Sequence, residues 1–550
     1  MKAWMPRGLL SLIGLIVAPM LGCFSSSRLA DGPYPAGIRR PLFPPTLPPL
    51  PSLPSELPAD PRRPESASER PKPAGEAPPA PEAEAKTLPP PRKVEEPTAP
   101  LELTEVLASV QRSFPLLLAA EQERAIAAGK RLSAEGSFDL NLRGRGILQD
   151  GTFPSERFDL YAEQATPWYG ASFYGGYRLG LGKFPVYYGD RLTADGGEFR
   201  AGVILPVLRD GPIDRRRALL RQAQLGEPLA DAVVRRFRID FIRAATVRYW
   251  NWVAAGEQFF VADELLRIAR DRQVGLEEQY KRGAIAEFVV IDNRRLIAER
   301  EGLLIAAERR LQQAAFDLSL YLRDAAGNPV VPPAERLPRN FLRQEPAPPD
   351  VQRLRNDVET ALRFRPELDR FQALKEQASV ELRLAENQTL PALNAAVGAA
   401  QDVGRGKKAT GIFALDRTTP DASVLLEVPL QRRDARGRAQ AARATVTQLL
   451  AQERYARDQI VVEVQDAISN LDRTHARLQR AREEQRVARR VAELELERFQ
   501  KGQSNLLEVN LRELAAAGAQ AKVIDALADF YRAYADYRAA LGLDAAPTNP

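Results

Sequence analysis

FQKGQSNLLEV, Phe499–Val509, decides how the rest of the chain is read. A glycine with polar neighbours interrupts sequence that otherwise favours helix on both sides. A near copy, YKRGAIAEFVV, occupies Tyr280–Val290, and the two glycines, Gly283 and Gly502, lie 219 residues apart (502 minus 283). A helix that reverses direction within a few residues needs a residue that enters left-handed backbone at low cost, and glycine is that residue. The pair therefore predicts two long helical hairpins in one chain.

Working outward, other elements recur at the same offset. Each copy starts with a helix interrupted by a proline, Pro115 in the first and Pro366 in the second. Each later has a strand that runs into a proline, Pro206 and Pro429, 223 residues apart (429 minus 206). The closing helices end near Asp324 and Asp544, 220 apart (544 minus 324). A fixed offset across matched elements is the sequence sign of an internal repeat. The expected division is residues 101–345 for the first repeat and 346–545 for the second. Pro115 to Pro206 spans 91 residues and Pro366 to Pro429 spans 63, so the first copy carries 28 more, assigned to an extra loop or hairpin near residues 150–197.

The long helices carry coiled-coil spacing: Val464, Ala467, Leu471, Thr474, Leu478 and Ala481 alternate steps of three and four. From Asp214 to Tyr280 one rod of roughly 90–100 Å is expected at about 1.5 Å per residue. No single globular core needs helices of that length, so they must pack side by side, within the chain or against its copies. The segments between the helices differ in kind. SFDLNLRGRGIL, Ser137–Leu148, sets Phe138, Leu140 and Leu142 against Asp139, Asn141 and Arg143, which reads as a strand. PWYGASFYGGYRLGLGKFPVYY, Pro167–Tyr188, is crowded with aromatics. Alternation with aromatics is the signal of a lipid-facing barrel, weak for each segment alone; a small soluble sheet reads the same way.

Composition narrows the function. The chain has 550 residues, 27% of them charged, with a formal charge of +6. Outside the N-terminus no apolar run approaches the ~18–20 residues of a spanning helix. Arginine is interleaved with acids along the helices, which reads as a solvated surface and not as a nucleic-acid patch. A single cysteine excludes an internal disulfide and a CxxC metal site. The single histidine, His475, falls inside the heptad pattern and reads as a packed or surface residue. No GxSxG, Walker or HExxH pattern occurs. No enzyme activity, cofactor or metal is expected.

The N-terminus reads as an address. Lys2 and Arg7 precede the apolar run Gly8–Leu21, so residues 1–22 read as a secretory signal. The sequence Met20-Leu21-Gly22-Cys23 resembles a bacterial lipobox, with Met20 where that pattern prefers leucine. The resemblance implies that Cys23 is lipidated; ordinary cleavage beside an incidental cysteine stays open. Residues 24–100 hold half of the chain's 44 prolines, and residues 23–100 are expected to form a lipid anchor followed by a Pro-rich disordered tether.

The helix–strand–strand–helix order, given twice, and the motif around each glycine resemble the outer-membrane efflux protein family, the TolC-like channels. That motif is an aromatic three residues before a turn glycine, then an apolar and acidic stretch: Tyr280 and Gly283 followed by Phe288, Val290 and Asp292, and Phe499 and Gly502 followed by Leu506, Leu507, Glu508 and Val509. The resemblance implies a mainly α protein with a β-barrel portion. Three chains would form a tube, a homotrimer, each giving four strands to a 12-stranded barrel in the lipid of the outer membrane and helices to a long periplasmic α-barrel. It implies the exit duct of a tripartite efflux or type I secretion system, passive, with a periplasmic adaptor and an inner-membrane transporter as partners. Tyr280, Gly283, Phe288, Phe499, Gly502, Leu506 and Leu507 would then form the periplasmic tips and the adaptor-docking surface. Family members often carry acids six and nine residues after the second glycine. Here those positions are Glu508 and Leu511, so one ring of carboxylates, at Glu508, is implied at the pore constriction; the first tip has Val289 in that place. The alternative left open is a secreted, lipid-tethered coiled-coil scaffold without a pore.

Overall fold

The computed structural model describes residues 99–183, 193–194, 196–404 and 418–545, within one compact unit. The expected signal, Cys23 and the expected Pro-rich tether lie outside the described residues.

Two helices open the fold, α1 (Leu103–Ser113) and α2 (Pro115–Glu135), and a later pair, α5 (Leu354–Phe364) and α6 (Pro366–Asn387), has the same joint. In each pair the proline takes the first position of the second helix, where its missing N–H is no loss and its fixed φ starts the turn. The long helices are α3 (Arg215–Lys281) and α7 (Arg433–Gln500), each followed by a shorter partner, α4 (Glu287–Ser319) and α8 (Leu506–Ala540). At 67 and 68 residues α3 and α7 are each about 100 Å long. The α3 helix opens on Asp214, whose carboxylate accepts the Arg217 N–H at 2.9 Å, and it runs through Pro228.

Along α3 the partners change. It packs against α2 and α6 on the side of its start and against α4 and α8 towards its end. The expected seam of α7 is buried at Val464, Ala467, Leu471, Leu478 and Ala481. The largest core joins α1 to the middle of α3, the end of α4 and α8, around Trp252, Phe341, Leu318 and Leu527, all fully buried. There Trp250 stacks on Tyr531 with ring centroids 4.1 Å apart, and the Tyr249 hydroxyl donates to the Leu101 carbonyl at 2.9 Å.

Between helices lies one antiparallel sheet in sequential order: β1 (Asn141–Gln149), β2 (Ser155–Ala165), β3 (Ser172–Gly182), β4 (Glu198–Pro206), β5 (Ala392–Asp402) and β6 (Thr419–Glu427). Two expectations are corrected. The described residues give six strands where four per chain are expected: the surplus of the first half forms a hairpin, β2–β3, within the segment expected to hold an extra loop or hairpin. The first strand also starts later than the alternation indicates. Gly136–Phe138 is a 3-10 turn closed by the Asp139 N–H on the Gly136 carbonyl, so Phe138 is not a strand residue. Period-two alternation cannot distinguish a short turn from a strand end when the turn residues continue the pattern.

Candidate functional site

Both hairpin turns close in the same way. At the first, the Gly283 N–H bonds to the Tyr280 carbonyl at 2.8 Å and the Ala284 N–H to that of Gln279 at 2.9 Å. At the second, the Gly502 N–H bonds to Phe499 and the Gln503 N–H to Arg498, both at 2.9 Å. These are the paired 5→2 and 6→1 bonds of a Schellman stop, which requires a left-handed residue at the glycine. Gly283 and Gly502 have φ of +71° and +73°. A Cβ on either would meet nothing within 4 Å, so the requirement is conformational and not steric.

The returning helices start differently. Asn505 caps α8 by accepting the Glu508 N–H at 3.0 Å, whereas the first tip enters α4 at Ala286 with no side-chain cap. The Ser504 hydroxyl donates to Glu495, and this bond, with Arg498 beside it, holds the Glu495 carboxyl below the usual carboxylate range.

The two tips pack on each other through Leu276 of α3, Val290 of α4 and Leu506 of α8, with Ile285, Val289 and Phe499 around them. Leu506, expected on the docking surface, is 7% exposed and holds the tips together instead. Tyr280, Phe288 and Leu507 point outward at 43%, 74% and 58% exposure. Ile291, Leu511 and Leu514 continue the exposed apolar surface up α4 and α8. Glu508 is half exposed, with Arg512 3.8 Å away on the next turn. His475 lies far from the tips along α7, edge-on to Phe530.

Just above the tips a buried ionic cluster joins the hairpins, which sequence reading did not find. Arg300 of α4, 2% exposed, donates to the Leu265 carbonyl at 2.6 Å and to Glu513 of α8 at 3.1 Å. Arg272 of α3 donates to the other oxygen of Glu513 and to Asn510 Oδ1 at 2.6 Å. About two turns from Arg300 on α4, Asn293 donates to the Ala269 carbonyl at 3.0 Å. The cluster ties α3 and α4 to α8, partners separated by 213 and 241 residues.

The sheet has two unlike faces. Through the paired registers, Leu142, Leu160, Phe173, Phe199, Val397 and Val424 come from six different strands to one face, and all are exposed. The other face carries the charges except Glu156, which starts β2 opposite Leu148 and Leu181 on the apolar side. Asp159 accepts a hydrogen bond from Arg178 at 2.7 Å and forms an ion pair with Arg157 at 2.8 Å, with all three largely buried. Glycines on this face lie under tyrosines: a Cβ on Gly202 or Gly398 would come within 2.5 and 2.7 Å of the Tyr174 hydroxyl. At the helix end of the sheet, Trp168 and Tyr169 sit exposed in the β2–β3 turn. No described helix is long and apolar enough to cross a membrane, and no group of three or more metal-ligating side chains occurs among the described residues.

Residues 358–543 match the family model described as outer membrane efflux protein. No curated protein matches the sequence. Among solved structures, the Campylobacter jejuni CmeC outer membrane channel is 14% identical with a TM-score of 0.55, covering 80% of this chain and 85% of that one. The open-state Neisseria gonorrhoeae MtrE outer membrane channel has the same identity, TM-score and share of this chain, with 88% of its own covered. The outer membrane protein VceC of Vibrio cholerae is also 14% identical, TM-score 0.55, covering 80% of this chain and 96% of that chain. At such identities the likeness shows a common fold.

Proposed function

We infer that this chain, which resembles the outer membrane efflux proteins in its matched region and shares the fold of their channels, is the outer-membrane duct of an efflux or secretion pump. One observation carries the reading: a continuous antiparallel sheet with an exposed apolar face, set at the head of helical hairpins about 100 Å long. Strands of 9–11 residues have the length of a membrane strand. Water leaves such a face exposed at a cost of about 25 cal/mol per Å² of apolar surface, whereas lipid covers it.

A single sheet with two open edges is not tolerated in lipid, because unpaired N–H and C=O groups there have no water to bond. Copies of the chain must therefore close the sheet, and we take the assembly to be a homotrimer. The helices then line a periplasmic tube. The duct does no chemistry: transport energy enters from an inner-membrane transporter, and an adaptor joins the two at the hairpin tips. Tyr280, Phe288 and Leu507 offer the apolar surface for that adaptor, and Phe499 and Leu506 keep the two tips in register. Three copies of Glu508 would ring the lumen near the tips and favour cations. Cys23 would carry lipid, with the proline-rich segment as tether.

Assembly and location test this reading. Membrane fractionation is expected to recover the full-length protein in the outer membrane as a heat-resistant trimer on gels. A soluble or merely lipid-tethered monomer would favour the scaffold reading instead.

A further inference from the structure

We propose that all six strands of each chain enter the membrane barrel, with β1 of one protomer pairing with β6 of the next, so that three chains close a barrel of 18 strands. The proposal rests on the reading of the chain as a trimeric outer-membrane duct and deepens it.

The extra hairpin is not an appendage. β2 and β3 span Ser155–Gly182, 28 residues, and they sit in the interior of the sheet between β1 and β4. Leaving them out of the barrel would break two registers, β1–β2 and β3–β4. Nor does the hairpin stop short. Its turn reaches the helix end, where a Cβ on Gly170 would lie 2.6 Å from the Asp210 carbonyl and where Tyr169 lies against Gly211.

Apart from Glu156 at the far end of β2, the hairpin obeys the sheet's two-sided pattern. Phe158 and Leu160 of β2 and Phe173 and Leu181 of β3 fall on the exposed apolar face, in phase with their neighbours. Arg157, Asp159 and Arg178 fall on the charged face. A hairpin lying outside the bilayer would have no reason to keep its apolar side aligned with that of the flanking strands.

The two edges suit each other. β1 and β6 have nine residues each, and in a meander of six strands the first and last run in opposite directions, so neighbouring chains pair antiparallel as every internal pair does. Along β1 the outward positions are Leu142, Gly144, Gly146 and Leu148; along β6 they are Pro420, Ala422, Val424 and Leu426. Both edges thus present the same apolar–polar phase. Barrel diameter grows roughly in proportion to strand number, so 18 strands give a lumen frame about 1.5 times as wide as 12. Size discrimination then belongs to the helical end of the duct.

Electron cryomicroscopy of the full-length protein in lipid nanodiscs tests this by strand count. Eighteen strands around an intact trimer support it. Twelve strands with the β2–β3 hairpin outside the bilayer overturn it while leaving the duct reading in place, and absence of a trimeric barrel overturns both. Thiol labelling in native membranes gives a second test. Leu160→Cys should react at least ten-fold slower with a membrane-impermeant maleimide than Glu163→Cys on the charged face, against the unsubstituted chain as background. Equal rates would overturn the proposal.

Discussion

Replacing Glu513 by glutamine should destabilise the joint between the hairpins far more than the change in size indicates. Glu513 receives Arg272 and Arg300, and Arg300 is 2% exposed. Glutamine keeps the volume and one carbonyl acceptor but leaves two guanidinium groups without a counter-charge where Arg300 is buried and Arg272 and Glu513 are each 13% exposed. Breaking a buried ion pair from one side costs about 3–5 kcal/mol, whereas exposed pairs contribute about 0–1 kcal/mol. The Arg270–Glu301 pair, linking the same α3 and α4 with side chains 58% and 44% exposed, provides the internal control. Amide exchange read along residues 505–520 should show Glu513→Gln lowering local stability by about 3 kcal/mol, and Glu301→Gln by less than 1 kcal/mol. Replacing Arg272, Arg300 and Glu513 together with methionine, leucine or both should recover most of the loss, because no unpaired charge then remains. A Glu513→Gln effect no larger than that of Glu301→Gln would refute the argument that burial makes this cluster the tie between the hairpins.

Three further outcomes follow from the same geometry. Gly502→Ala should lower the local stability of the second tip by about 1–2 kcal/mol through backbone strain alone, and Gly502→Asn by less, measured by exchange of the Gly502 and Gln503 amides; equal effects would contradict the left-handed requirement. Glu257 has its carboxyl pushed up by burial to about 7, so its contribution to stability is full below about pH 4.5 and is lost as pH rises through 7. Glu257→Gln should therefore match the parent at pH 4 and exceed it by about 1–2 kcal/mol at pH 8 in denaturant unfolding, after allowing for solvent access; a constant difference at both pH values would remove the titration from the account. Glu508→Gln should lower cation-over-anion selectivity in a planar bilayer, and unchanged selectivity would leave Glu508 as a solvated carboxylate beside Arg512.

Much of the helical framework was legible because its signals are local. The proline joints, the glycine stops and the three–four spacing of α7 each act within a turn or two of helix. The sheet was legible only in part. Gly144, Gly146, Gly175 and Gly176 dilute the alternation of β1 and β3, and what fills the space is visible only with the register known. A Cβ on Gly176 would strike the Tyr161 ring of the neighbouring strand, and Tyr174 of β3 covers Gly202 and Gly398 on the two strands beyond. The sequence therefore shows two of the strands only as surplus length for a loop or hairpin, and its alternation runs through Phe138, which precedes the strand. At the tips the motif falls on the two glycine stops, but apolarity alone cannot tell outward Leu507 from inward Leu506, since adjacent positions at a helix start differ by about 100° around the axis. The Arg272–Glu513–Arg300 cluster had no local signal, because its members meet only after both hairpins have folded against each other.

The central claim is that the exposed apolar sheet and the long hairpins build an open path across a membrane. Reconstituting the purified full-length protein into a planar lipid bilayer tests it most directly. Discrete, uniform conductance steps that require the assembled trimer are the predicted result. A protein that assembles and binds the bilayer yet passes no ions under any applied potential would contradict the account.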